Sequence, residues 1–264
     1  MDGVRHFLLA LQFFTRVPVT GRLAQWVGFS PQMLRASAAH LPGIGWLVGG
    51  VAAAVFVAVH AGLPGVAGAL AAALLSTVAT VMLTGAFHED GLADVADGLG
   101  GSAQRDRALE IMKDSRIGAF GAVALVLALG LKFALIATLA GRGLPAVAVA
   151  IVGAHVLSRL MPLFIIRWLP YVGDSGASKA KPLADAISAG ALAMAALWSV
   201  PAVALLLYGH DVVHVVASLL AAVLAAGWMA RLFLRRLQGF TGDGLGATQQ
   251  VCELAIYLAL AWRA

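Results

Sequence analysis

Seven long apolar segments constrain this chain to a bundle of helices in a lipid bilayer. Each is long enough, at a rise of about 1.5 Å per residue, to cross a hydrocarbon core of roughly 30 Å. The segments are Leu41–His60, Val66–Phe87, Gly118–Ala140, Leu144–Ile166, Ile187–Tyr208, Val212–Leu234 and Leu245–Trp262. The sequence leaves open whether the last one crosses the membrane. We therefore expect an all-α, polytopic membrane bundle of six or seven transmembrane helices.

The composition agrees with this fold class and excludes a soluble protein. Hydrophobic residues make up 61% of the chain and charged residues 12%, with a mean hydropathy of +0.91, whereas globular proteins carry about a quarter charged residues. We expect residues 1–264 to form one integral membrane domain. The isoelectric point of about 9.9 does not indicate a nucleic-acid partner, because basic residues in membrane proteins report orientation. A single cysteine, Cys252, excludes an internal disulfide.

The basic residues predict how the bundle is oriented. Thirteen of the 18 Lys and Arg residues lie in connections on one side: Arg5, Arg16, Arg22, Arg35, Arg105, Arg107, Lys113, Arg116, Arg167, Lys179, Lys181, Arg235 and Arg236. The opposite connections hold Arg142, and also Arg263 if the last segment crosses. The positive-inside rule then places the amino terminus and the acidic loop in the cytoplasm. Met1–Pro18 is amphipathic, so we expect that it is not a cleavable signal and that it either crosses the membrane or lies on it.

Negative charge is concentrated in the segment His88–Gly98. In a helix, Asp90, Asp94 and Asp97 stand at i, i+4 and i+7 and share one face. Like charges at this spacing destabilise an isolated helix, and no basic residue within the run neutralises them. Carboxylate oxygens are the ligands that Mg²⁺ and Ca²⁺ require. We therefore predict that this face binds a divalent cation.

A second acidic group follows in the same loop. Ser102 is placed to begin a helix from Ala103 to Arg116, with Gly118 after its end. Asp106, Glu110 and Asp114 would lie on neighbouring positions of one face of this helix. Ordinary surface ion pairs explain that pattern as well as a functional site does.

A glycine-rich segment, Gly239–Ala247, lies on the same predicted side. Glycines around Asp243 at the start of a helix would expose backbone N–H groups that bind phosphate. A flexible turn is the alternative interpretation. Glu253, further along the same helix, should face the bundle interior because a charge facing lipid is costly.

Several polar residues lie inside predicted spans, and three of them carry or can carry charge in the third and fourth spans. Lys132 is at the middle of the third span, and His155 and Arg159 form an i, i+4 pair on the fourth. Arg159 lies near the cytoplasmic end, where it either binds substrate or extends to the lipid headgroups.

The motifs resemble two families of membrane enzymes. Asp94-x-x-Asp97-Gly98 resembles the opening of the CDP-alcohol phosphotransferase signature, but Gly101-Ser102 stands where that signature has Ala-Arg. A fuller resemblance is to the cobalamin synthase family (adenosylcobinamide-GDP ribazoletransferases). The segments that carry it are Phe14–Pro18, Thr84–Gly98, Met112–Gly118 and Thr241–Ala247.

The second resemblance implies a reaction and a set of site residues. The reaction is Mg²⁺-dependent transfer of the adenosylcobinamide-phosphate group from adenosylcobinamide-GDP to α-ribazole or its 5′-phosphate, releasing GMP, as the last assembly step of cobalamin synthesis. We assign Glu89, Asp90, Asp94 and Asp97 to metal binding and Asp94, Asp97 and Asp114 to catalysis. Substrate or phosphate binding is assigned to Arg16, Lys113, Arg116, Arg159, Thr241, Gly242 and Asp243.

The resemblance also implies a bacterial inner-membrane enzyme with a cytoplasmic active site. It leaves open a homo-oligomer or an association with other enzymes of cobalamin assembly. The alternatives are a CDP-alcohol phosphotransferase-like enzyme, disfavoured by the missing Ala-Arg pair, and a cation-coupled transporter. The transporter is disfavoured because the carboxylates cluster in one loop and no inverted repeat is visible.

Overall fold

The computed structural model describes residues 2–173 and 187–262, and this part of the chain is almost entirely helical. Three basic residues used for orientation, Lys179, Lys181 and Arg263, lie outside the described residues. The helices are α1 Asp2–Phe14, α2 Gly21–Val27, α3 Pro31–Ser37, α4 Leu41–Gly62, α5 Gly65–Thr84, α6 Phe87–Gly101, α7 Arg105–Met112, α8 Ala119–Ala140, α9 Leu144–Trp168, α10 Ala189–Gly209, α11 Val212–Arg236 and α12 Gly242–Ala261.

Among the residues that the structure describes, six helices are long and apolar enough to cross a membrane, namely α4, α5, α8, α9, α10 and α11. The predicted fold class is confirmed, and each of these helices lies within a few residues of a predicted span. Helix α9 is the axis of the bundle, since it is enclosed on nearly all sides while the other five are mostly exposed. Gly45 and Gly49 of α4 lie directly against the α9 backbone at Val152–Val156, a close approach that small residues permit in membranes.

Helix α12 also runs through the whole bundle. At its end, the carbonyl oxygen of Trp262 accepts hydrogen bonds from Arg142 Nη2 at 2.7 Å and from His214 Nε2 at 2.9 Å. Arg142 lies in the turn between α8 and α9, and His214 lies at the start of α11. We call this side of the bundle the opposite end. The side where α12 begins, beside α6 and α7, is called the basic end.

The amphipathic segment at the amino terminus forms α1, which is 13 residues long. A helix of that length measures roughly 20 Å, too short to cross a hydrocarbon core of about 30 Å. Helix α1 packs instead against α3 and α4, and Arg5 Nε donates to the carbonyl oxygen of Val27 at 3.0 Å. It therefore lies across the basic end.

The structure corrects two predicted boundaries. The second span ends at Thr84 rather than Phe87, because Gly85 and Ala86 both have left-handed backbone angles, φ 68° and φ 59°, and Phe87 begins α6. The loop helix is Arg105–Met112 rather than Ala103–Arg116. Ser102 ends α6 rather than beginning α7, and the Asp114 carboxylate accepts the backbone N–H of Arg116 in a local turn beyond the helix.

Candidate active site

Two helices meet at the basic end and place their carboxylates side by side. Helix α6 crosses the first turns of α12, and both contribute glycines to the contact. A β-carbon on Gly91 would lie 2.6 Å from the backbone oxygen of Asp243, and one on Gly246 would lie 3.3 Å from His88 Cα. This close crossing brings Asp243 next to the carboxylates on the exposed side of α6. We call Asp90, Asp94 and Asp243 the carboxylate cluster.

The members of the carboxylate cluster repel one another. Burial, followed by the charges of Asp243, Asp90 and Asp97, raises the pKa of Asp94 to about 7. Burial and the charge of Asp90 raise the pKa of Asp243, in the first turn of α12, to about 6. None of the three carboxylates has an ion-pair partner among residues 2–173 and 187–262. A cation bound between them would relieve this repulsion.

The donor chemistry of the cluster fits Mg²⁺, which binds carboxylate oxygens and keeps several of its waters. Asp90 and Asp94 are one helical turn apart on α6, and Asp243 approaches from a second helix. Within the described part of the chain, no three His, Cys, Asp or Glu side chains already converge as a complete metal site. Metal binding by this face therefore stays a prediction.

Asp97 has a structural partner of its own. Its Oδ2 accepts the backbone N–H of Gly118 at 2.8 Å, and its Oδ1 accepts that of Gly121 at 2.8 Å. The carboxylate thereby caps α8, whose first N–H groups have no acceptor within the helix. A β-carbon on either glycine would collide with the carboxylate. Asp97 fixes α8 on α6, and its assigned catalytic and metal-binding roles stay predictions.

Glu89 lies off the exposed face of α6 and points into the bundle. It is buried, and its Oε1 accepts a hydrogen bond from Gln250 Nε2 of α12 at 3.1 Å. Its Oε2 has no hydrogen-bond partner among the described residues. The structure thus separates Glu89 from Asp90 and Asp94, and its assignment as a metal ligand also stays a prediction.

A buried polar network continues inward from Glu89. Its members come from α6, α8, α9 and α12 and are Glu89, Lys132, His155, Ser158, Arg159, Gln249, Gln250 and Glu253. Gln250 donates to Gln249, which donates to Ser158 and to Glu253 Oε2. Lys132 Nζ lies 2.8 Å from Glu253 Oε1, with the two side chains 2% and 1% exposed. The expectation that Glu253 faces the interior is confirmed.

Arg159 belongs to this network rather than to the membrane surface. It is 2% exposed, and its Nη1 lies 2.9 Å from the carbonyl oxygen and 3.0 Å from Nδ1 of His155. Because arginine only donates, Nδ1 accepts and the imidazole proton sits on Nε2, 3.5 Å from Glu253 Oε1. The headgroup alternative for Arg159 is wrong, and its phosphate-binding role stays a prediction.

The glycine-rich segment begins α12 as predicted, but packing explains most of its glycines. Thr241 is the N-cap, and its Oγ1 accepts the N–H of Gly244 at 3.2 Å. Gly244 packs against Phe233 and Gly246 against His88. Thr241 takes one of the free N–H groups of the first turn, so those of Gly242 and Asp243 remain directed at the basic end.

The remaining assigned residues lie around the start of α6 and the end of α7. Arg16 lies across Gly85, just before α6. Arg116 forms a two-point ion pair with Asp114, with Nη2 to Oδ2 at 2.6 Å, and this bonding lowers the pKa of Asp114 to about 2. Lys113 is exposed beside them. Asp114 lies outside the carboxylate cluster.

The chain is similar to known proteins along nearly its whole length. The family model described as cobalamin-5-phosphate synthase matches residues 6–261. The chain belongs to the cobalamin-5-phosphate synthase family. It is 59% identical to a protein of Polaromonas naphthalenivorans (strain CJ2) over 99% of both chains. It is 57% identical to one of Albidiferax ferrireducens (98% of both chains) and 44% identical to one of Shewanella amazonensis (96% and 94%).

All three relatives are named adenosylcobinamide-GDP ribazoletransferase. No solved structure matches the chain. The predicted membership of this family is confirmed, and the chain is a multi-pass helical membrane protein of it.

Sequence reasoning missed how the cobalamin-5-phosphate synthase fold groups its polar residues. It assigned Asp243 to phosphate and did not join it to Asp90 and Asp94. It did not include Gln249 and Gln250 at all, although two amides beside Glu253 in an apolar helix are a recognisable signal of an interior polar contact. No sequence pattern could have shown that Asp97 caps α8, because its partners are backbone groups.

Proposed function

We propose that this chain transfers the adenosylcobinamide-phosphate group of adenosylcobinamide-GDP to α-ribazole or its 5′-phosphate, with Mg²⁺. The carboxylate cluster carries the proposal, because it joins two helices of the family motifs at the end of the bundle where basic residues collect. The family membership and the printed names of the relatives support the choice of substrates. The product is adenosylcobalamin or its 5′-phosphate, and GMP leaves.

The reaction is a displacement at phosphorus. A hydroxyl oxygen of α-ribazole forms a bond to the phosphorus on the cobinamide side of the donor, and the hydroxyl proton is released to water. The bond from that phosphorus to the bridging oxygen breaks, and the bridging oxygen leaves with GMP. Such reactions depend on positioning and on neutralising charge more than on covalent help from the protein.

The protein's own residues supply the positions. Asp90, Asp94 and Asp243 would hold Mg²⁺ at the crossing of α6 and α12. When bound, Mg²⁺ neutralises pyrophosphate charge and stabilises the leaving phosphate. The first-turn N–H groups of α12 at Gly242 and Asp243, together with Arg16, would bind the remaining phosphate oxygens.

We place this site on the cytoplasmic side of the bacterial inner membrane. The described basic residues support the orientation, since Arg16, Arg105, Arg107 and Arg116 lie at the basic end while the opposite end has Arg142. The donor carries a charged guanine nucleotide, and such nucleotides are found in the cytoplasm.

The test measures product formation by purified protein in nanodiscs. We expect GMP and a lower-ligand-bearing corrinoid in equal amounts, only with both substrates and Mg²⁺ present. Asp94→Asn should abolish most activity while the protein stays folded, whereas Asp106→Asn, an exposed carboxylate on α7, serves as the matched control. Release of CMP from CDP-alcohols without GMP release would instead indicate the phosphotransferase alternative. Substrate uptake into vesicles without GMP release would indicate a transporter.

A further inference from the structure

A cleft of about 420 Å³ opens where the exposed face of α6 ends, between α7 and the start of α8. Its lining combines charge with one aromatic ring. The lining includes Asp97, Gly101, Arg107, Glu110 and Phe120.

The cleft continues the face that carries the carboxylate cluster. Asp90, Asp94, Asp97 and Gly101 stand at i, i+4, i+7 and i+11, which is one side of an α-helix. Gly101 is seven residues from Asp94, so it lies about 10 Å further along α6. The cleft therefore lies within a nucleoside's reach of a pyrophosphate held at the carboxylate cluster, with Asp97 and the start of α8 between the two.

An ion pair at the wall of the cleft presents acceptor and donor groups side by side. Arg107 Nη1 donates to Glu110 Oε2 at 2.6 Å. Glu110 Oε1 has no hydrogen-bond partner among residues 2–173 and 187–262. An exposed ion pair of this kind adds little to the stability of a protein, so folding alone does not require it.

This pair is complementary to guanine. The guanine edge has the O6 acceptor beside the N1–H and N2–H₂ donors. A carboxylate oxygen accepts from the two donors, and the neighbouring guanidinium donates to O6. Adenine has an amino donor where guanine has O6, so it would meet the guanidinium with the wrong polarity. In the nearby Asp114–Arg116 pair, the two side chains are hydrogen-bonded to each other within a local turn, so fewer of their polar groups are free to bind a ligand.

Phe120 supplies a stacking surface beside the pair. Its ring packs on Gly100, where a β-carbon would lie 2.6 Å from Phe120 Cγ. The side chain is nevertheless 56% exposed and lines the cleft. Purine rings stack on such aromatic faces whatever their edge groups.

We propose that this cleft binds the guanine of the donor, with Glu110 and Arg107 reading its edge and Phe120 stacking on its plane. The assignment rests on the proposed transfer function and adds the subsite that selects the nucleotide.

The experiment compares donors that carry guanine, hypoxanthine or adenine, by kcat/KM in nanodiscs. Hypoxanthine lacks only the N2 amino group. The wild-type protein should prefer guanine over hypoxanthine by about 10- to 100-fold, the worth of one hydrogen bond to a charged group. Glu110→Ala should lose most of this preference. Phe120→Ala should slow all three donors by roughly 5-fold or more and keep the preference.

Asp106→Ala is the matched control, because Asp106 is also an exposed carboxylate of α7, 91% exposed and paired with Arg105. It should keep the wild-type preference. If Glu110→Ala keeps the full preference, or Asp106→Ala loses it equally, the guanine subsite is refuted while the transfer function stands. If the wild-type protein forms no product from any donor, the proposed function itself fails.

Discussion

The surroundings of Asp94 raise its pKa, and this shift makes the stability of the protein depend on pH. Its pKa is raised from 3.8 to about 7, so the folded protein holds a proton that the unfolded chain releases between these values. In metal-free protein, this group's contribution to the unfolding free energy therefore falls as pH rises from about 4 to 7. We expect the Tm in EDTA to fall over this range, and Mg²⁺ at pH 7 to raise it.

A variant of Asp243 tests whether neighbouring carboxylates cause the raised pKa of Asp94. Asp243→Asn removes the largest of the charges that raise the pKa of Asp94, and it also removes a carboxylate whose own pKa is raised to about 6. The fall in Tm between pH 5 and 7 should become shallower in this variant and stay unchanged in Asp106→Asn. An unchanged slope in Asp243→Asn would show that the two carboxylates do not interact.

At the scale of single elements, the crossing of α6 and α12 depends on Gly91. Gly91→Ala places a methyl group 2.6 Å from the Asp243 backbone oxygen, so the helices must separate. We expect a stability loss of about 1–3 kcal/mol from overpacking and weaker divalent-ion binding, since Asp243 moves away from Asp90 and Asp94. Calorimetric titration with Mg²⁺ and thermal unfolding measure the two effects.

Gly50→Ala is the control for this crossing, because a β-carbon at Gly50 of α4 meets nothing within 4 Å. It should match or slightly exceed the wild-type protein in stability, since alanine favours helix over glycine. Equal metal affinity in Gly91→Ala and Gly50→Ala would argue against the two-helix cluster.

The buried ion pair Lys132–Glu253 joins α8 to α12, and we predict that substitutions of its two members are coupled in their effect on stability. Lys132→Met or Glu253→Gln alone leaves one buried group without its partner, which costs about 3–5 kcal/mol. The double variant removes both charges and should regain most of that stability. Thermal unfolding of the four proteins in one detergent gives the coupling, and a simple sum of the two single losses would show that the pair is not coupled.

Periodicity predicted what depends on one helix, and failed where two helices meet. The apolar spans and the shared face of Asp90, Asp94 and Asp97 follow from a period of 3.6 residues. Two other contacts depend on how α12 crosses α6. They are the approach of Asp243 to Asp94 and the hydrogen bond from Gln250 to Glu89, and each joins residues that lie about 150 positions or more apart in the sequence. Periodicity also misplaced the helix ends beside Gly85 and Ser102, because residues with left-handed backbone angles and local turns determine where these helices end.

For the whole molecule, the position of α12 explains how a strongly apolar chain supports polar chemistry. This helix carries Asp243 at the basic end and its amides and Glu253 at the core, and the apolar helices α8, α9 and α11 shield it. Charges that would be costly against lipid are thereby confined to protein surroundings. The carboxylate cluster and the cleft proposed to bind guanine both lie at the basic end, so the proposed function requires that end to face the cytoplasm, where guanine nucleotides are found.

The orientation of the bundle can be tested in intact cells. In a Cys252→Ala background, where the only native thiol is removed, a cysteine replaces Ala103 at the basic end or Gly62 at the opposite end. Ala103 is exposed, and a β-carbon at Gly62 meets nothing within 4 Å, so both thiols are reachable. The Ala103→Cys thiol should resist an impermeant reagent until the cells are opened, whereas the Gly62→Cys thiol should react at once, because basic connections stay in the cytoplasm. The reverse pattern would place the carboxylate cluster outside the cell, away from any guanine nucleotide, and would contradict the proposed transfer.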